Sequence, residues 1–119
     1  MAKGTITPSF LSASTNGRQI KVAATATAGT LMHTSVTGTM SIDMITLEAV
    51  NTHTATVTLT IEWGGVTSPD DLVVIELGPN RGRQVVIDRC FLNNGLAVRA
   101  FASVADVVVI YGEVRTVEL

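Results

Sequence analysis

From Ala55 to Trp63 the chain alternates without a break: Ala55, Val57, Leu59, Ile61 and Trp63 fall on one side, and Thr56, Thr58, Thr60 and Glu62 on the other. A period of two predicts a β-strand with an apolar core face and a hydroxyl-rich solvent face. Other segments keep the period less cleanly. In Ile42–Asn51, Ile45, Leu47 and Ala49 share one side while Met44, Thr46, Glu48 and Val50 share the other; Val107–Val114 carries Val, Ile and Tyr on both. Strands apolar on both faces are predicted to be central, covered or interfacial. Shorter strands are predicted at Gln19–Ala24, Thr30–Val36 and Leu72–Leu77, at Gln84–Leu92 with Val85 and Ile87 facing the core, and from Leu96 onward, where Leu96, Val98 and Ala100 alternate with Ala97, Arg99 and Phe101.

Turn residues punctuate these runs at Asn16-Gly17, Ala28-Gly29, Thr37-Gly38-Thr39, Gly64-Gly65, Gly78–Gly82 and Asn94-Gly95. Asn51–Thr54 and Asn94-Gly95 read as hairpin connections. No helical apolar period lasts beyond two turns. Closely spaced short strands with turns between them predict an all-β fold: a single-domain antiparallel β-sandwich, jelly-roll-like, of about eight strands. Residues 1–18 hold only isolated Ile6, Phe10 and Leu11 among Gly, Ser, Thr and Asn. That composition predicts an extended N-terminal arm ordered by what it touches, with the sandwich domain over 19–119.

Composition adds a question about the surface. Apolar residues make up 46% of the 119-residue chain and charged residues 15%, against roughly 25% charged in ordinary soluble domains. A small domain has a large surface to cover, so this shortfall predicts that other chains hide part of it. The net charge of −2 argues against nucleic-acid binding, which needs a basic surface. No run is long and apolar enough to cross a membrane as a helix, and Met1–Leu11 has no signal-peptide pattern. Synthesis in a cytoplasm is the expectation. Lys3, Arg18 and Lys21 are the only charges before Asp43, which is either a chance of sparse charge or an arm suited to an acidic partner surface.

Reaction chemistry is thin. His33 and His53 are separated by a strand and lack neighbouring ligands, so both read as surface or loop histidines rather than metal ligands. Asp70-Asp71 reads as a loop whose carboxylates accept amide hydrogens, not as a calcium loop. Cys90 has no partner for a disulfide and reads as a small buried hydrophobe. No nucleophile elbow or phosphate loop is present. No catalytic residue, metal ligand or cofactor site is predicted. Arg81 and Arg83 flank Gly82 as the one compact basic cluster of the body, either a solvated turn or a contact for an acidic protein surface.

The segments Leu59–Gly65, Ser68–Asp71 and Asn94–Ala102 together resemble small β-sandwich virion structural proteins of tailed bacteriophages. The likeness runs over residues 19–114 and rests on strand and turn patterns. It implies a non-enzymatic cement or decoration protein on the capsid surface, bound to the major capsid protein and commonly a homotrimer. A tail, neck or head-fibre component is the alternative within the virion, and a lectin-like glycan-binding module is the alternative outside it. Under the cement reading, Lys3, Phe10, Leu11 and Arg18 form a capsid-binding arm, while Arg81, Arg83, Val107, Val109 and Tyr111 supply assembly contacts.

Overall fold

A computed structural model describes residues 3–119. Among them are nine strands and no helix: β1 (Ile6–Phe10), β2 (Ile20–Lys21), β3 (Thr30–Thr34), β4 (Ser41–Asn51), β5 (Val57–Trp63), β6 (Leu72–Leu77), β7 (Gln84–Leu92), β8 (Ala97–Ala102) and β9 (Val108–Glu118). They form two antiparallel sheets. One runs β1-β9-β4-β7, with β2 also on β9, and the other runs β3-β8-β5-β6.

The pairings are nested. β5 pairs with β6, β4 with β7, β3 with β8, and β1 and β2 with β9. This is one long hairpin with its tip at the β5–β6 loop, rolled so that successive pairs fall in alternate sheets, which is the jelly-roll topology. The β4·β9 and β5·β8 ladders then join the pairs side by side. The sequence expectation of an all-β antiparallel sandwich holds.

Between the sheets lies a dry core. Ile45, Leu47, Ala49, Val108, Ile110 and Val114 face it from the first sheet, and Val57, Leu59, Ile61, Val98, Ala100 and Ala102 from the second. Val, Ile and Leu at every second position give both sheets this inner face.

β1 and β2 are two pieces of one edge strand. Phe10 pairs with Glu113 and Ile20 with Ile110, so both run the same way along β9 with the 11–19 loop bulging between them. At that break Leu11 turns inward and is 2% exposed. Its side chain fills the space above Gly112, where a Cβ would stand 2.8 Å from the Leu11 branch atoms. The segment expected to be an arm is extended, but all five side chains of β1 are exposed and the anchor is Leu11.

Several local expectations change. β4 and β5 are not a hairpin, because they belong to different sheets. Asn51 makes the corner: its amide donates to the carbonyls of Ala55 and Leu77, both at 2.9 Å, and its Oδ1 accepts the His53 N–H. Asn94 and Gly95 do adopt φ of 63° and 72°, as a tight turn requires, yet they too carry the chain from one sheet to the other.

The alternation of β7 is broken twice. Asp88 and Arg89 lie opposite Thr46 alone, and Val86 is an extra residue between the Leu47–Ile87 and Glu48–Val85 pairs. Arg89 has φ 51°, consistent with a bulge. Ile87 is therefore buried while Val85 is 59% exposed, and Cys90 is exposed rather than buried.

Two buried polar clusters tie loops to this frame. Glu62, which the alternation assigns to a wet face, is fully buried; it accepts the Thr27 hydroxyl at 2.8 Å and the Gly29 N–H at 2.6 Å. The 23–29 segment thus covers the end of β5. His33 is also buried rather than at the surface. Its Nδ1 accepts the Ser12 N–H at 2.9 Å, which places the ring proton on Nε2, where it is donated to Asp43 at 2.8 Å. Asp43 further accepts from Val36 N–H and the Thr116 hydroxyl.

Candidate functional site

The outer face of the five-stranded sheet carries exposed apolar and charged side chains together. Residues directly opposite in an antiparallel pair share a face, so the register maps it in rows. Ile6, Val117 and Ile42 form one row. Pro8, Arg115, Met44 and Phe91 form the next, and Phe10, Glu113 and Thr46 the one after. Tyr111, Glu48 and Val85 follow, then Lys21, Val109 and Val50.

This face is apolar at its margins and polar in its middle. Ile6 is 59% exposed, Phe10 54%, Phe91 58% and Val85 59%, on the two edge strands. Between them stand Glu113, Arg115, Thr46 and Glu48. Glu113 and Arg115 face a shallow depression beside Phe10 and Tyr111, and a second one beside Met44, Asp88 and Arg89. Apolar rims around interleaved charges offer both burial and register to a flat protein surface.

The sequence-predicted residues separate into two groups. Phe10, Val109 and Tyr111 do lie on this face. Arg83 reaches it as well, with its guanidinium 4.4 Å from the Tyr111 ring centroid and its Nε donating to Gln19 Oε1 at 3.4 Å. Cation–π attraction holds this arginine over the ring.

The others lie elsewhere. Leu11 is committed to the core and offers nothing to a partner. Val107 precedes β9, packs against the core, and uses its carbonyl to accept both the N–H and the hydroxyl of Thr52. Arg81 folds back over Gly78, where an added Cβ would run into its Nε, whereas Arg83 lies over the Tyr111 ring. Lys3 and Arg18 are exposed; Arg18 is held in the 11–19 loop by its N–H to Thr15 and by the Ser14 hydroxyl on its carbonyl.

Ile6, Phe91, Glu113 and Arg115 belong to the face without having been singled out in the sequence, and Val85, which the sequence reading assigned to the core, lies on it as well. The doubly apolar character of β4 and β9 was the available signal. It marked the central strands, whereas the most exposed apolar groups sit on the edges.

His33 and Asp71 are engaged in internal hydrogen bonds. Both ring nitrogens of His33 are occupied, so it has no free lone pair to act as a base. Asp71 accepts the Thr67 N–H at 3.0 Å within its loop, as the loop composition predicts. Among the described residues no group of three or more His, Cys, Asp or Glu side chains is placed to hold a metal ion. No helix of the described residues is long and apolar enough to cross a membrane. No family model, curated protein or solved structure matches the chain.

Proposed function

We propose that this chain is a non-enzymatic virion structural protein, a capsid cement or decoration protein of a tailed phage that binds the major capsid protein and bridges its subunits. The observation that carries this reading is the outer face of the five-stranded sheet, where Ile6, Phe10, Val85 and Phe91 stand exposed around Glu113 and Arg115. The jelly-roll frame and the sparse charge support it. A bridging protein needs no reaction centre, only surfaces that hold several subunits at once, because linked contacts multiply weak individual affinities.

The placement of Trp63 and Tyr111 favours this reading over glycan binding. Trp63 packs against the core and Tyr111 lies beneath Arg83, so neither offers the bare ring on which a sugar stacks. The test is to add purified chain to phage heads assembled without it, sediment them, and image the particles. Saturable occupancy at fixed positions on the head surface is the expected result. Absence from sedimented heads, or density confined to the tail or neck, overturns it.

A further inference from the structure

We propose that β6 is a self-association edge, on which a second copy of the chain adds its own β6 antiparallel across a twofold axis to join two four-stranded sheets. The inference stands on the strand edges and does not depend on which assembly the protein serves.

A sheet edge exposes unpaired N–H and C=O groups, and proteins usually blunt it with bulges, proline, charge or a covering segment. Three of the four edges here are blunted. β7 carries two register breaks and the exposed Asp88 and Arg89. β1 contains Pro8. β3 is covered by the 12–13 segment, with Ala13 N–H on the Met32 carbonyl and Thr34 N–H on the Ser12 hydroxyl. β6 has no bulge, proline or covering segment, and its one charge is Glu76: Leu72-Val-Val-Ile-Glu-Leu77 keeps an unbroken register with β5, and Val73 and Val74 are 36% and 61% exposed.

The direction of its free groups follows from the ladder. Trp63 N–H donates to the Asp71 carbonyl at 2.8 Å, and this pair is in the same register as Ile61–Val73 and Leu59–Ile75. In an antiparallel ladder bonded and non-bonded pairs alternate. Asp71, Val73, Ile75 and Leu77 therefore bond to β5, and the main-chain groups of Leu72, Val74 and Glu76 point away. Leu72 N–H is already given to the Pro69 carbonyl at 3.2 Å.

That arrangement selects both the partner and the register. A twofold centred on Val74 would require the Leu72 N–H, and one centred on Glu76 would oppose two carboxylates. Centred on Ile75, it pairs Val74 with Glu76 of the second copy, so each free N–H meets a free carbonyl. On the inner side it sets Val73 against Leu77 and Ile75 against Ile75, extending the apolar edge of both cores. Glu76 then faces valine, and its carboxylate keeps the Thr58 hydroxyl at 2.8 Å. The strand is its own complement in hydrogen bonding, charge and apolarity, which points to a second copy rather than to a foreign strand.

The test uses the full chain in light scattering. Wild type is expected at twice the 12.5 kDa chain mass, and Val74→Pro at the single mass with an unchanged β-sheet circular dichroism spectrum. Proline at 74 removes only an outward N–H, which an edge strand tolerates. In a Cys90→Ser background, Ile75→Cys is expected to give a disulfide-linked dimer on oxidation, because facing non-bonded pairs lie within disulfide reach, whereas Val73→Cys is not. A monomeric wild type, a Val74→Pro variant that is still dimeric, or failure of Ile75→Cys to cross-link overturns the proposal.

Discussion

At the scale of single residues, the informative positions are those where a side chain does the opposite of what its type suggests. Glu62 sits at an even, polar position of a clean alternation, and nothing in its neighbours announces that the 23–29 segment will lie across it. His33 and Asp43 are ten residues apart in different strands of different sheets, so their bond could not be read along the chain. The alternation did locate Val57, Leu59 and Ile61, because a two-residue period is enforced by the strand itself. Removing Asp43 leaves the His33 Nε2–H, the Val36 N–H and the Thr116 hydroxyl without their acceptor, and Asp43→Ala is expected to cost about 3 kcal/mol in denaturant unfolding. Nitrogen-15 NMR of the histidine rings is expected to show His33 as the Nε2–H tautomer.

At the scale of elements, the sequence showed where strands and turns occur better than which sheet each strand joins. Asn94-Gly95 is a correct turn with the expected positive φ values. A turn fixes the reversal of the chain, however, and the rolling of the long hairpin decides the sheet. In β7 the extra Val86 shifts the alternation by one residue, which is why Val85 emerges at the surface, while Cys90 lies opposite the core-facing Ile45 and is exposed on the edge strand. β1 depends on Leu11, since none of its own side chains is buried. Leu11→Ala is expected to destabilise the protein by about 2–5 kcal/mol and to remove hydrogen-exchange protection from β1 before the other strands. Gly112→Ala crowds the same space and is expected to cost about 1–3 kcal/mol. Combined, the two substitutions are expected to cost less than their sum, because the smaller side chain makes room for the added methyl.

At the scale of the whole molecule, the two sheets have unlike outer surfaces. The four-stranded sheet is partly closed by the 23–29 segment clamped on Glu62, whereas the five-stranded sheet keeps exposed Ile6, Phe10, Val85 and Phe91 around its central charges. The sparse charge made exposed apolar surface legible in the sequence. Its location was not, because the margins of the face come from β1 and β7, which meet it only through pairing with β9 and β4. The most direct measurement compares wild type with the Phe10→Ser, Phe91→Ser double variant for binding to phage heads assembled without the chain, with thermal unfolding followed on the same samples. Both rings are more than half exposed, so the account predicts a fold of near wild-type stability that no longer sediments with the heads. Wild-type occupancy by the folded variant would contradict it.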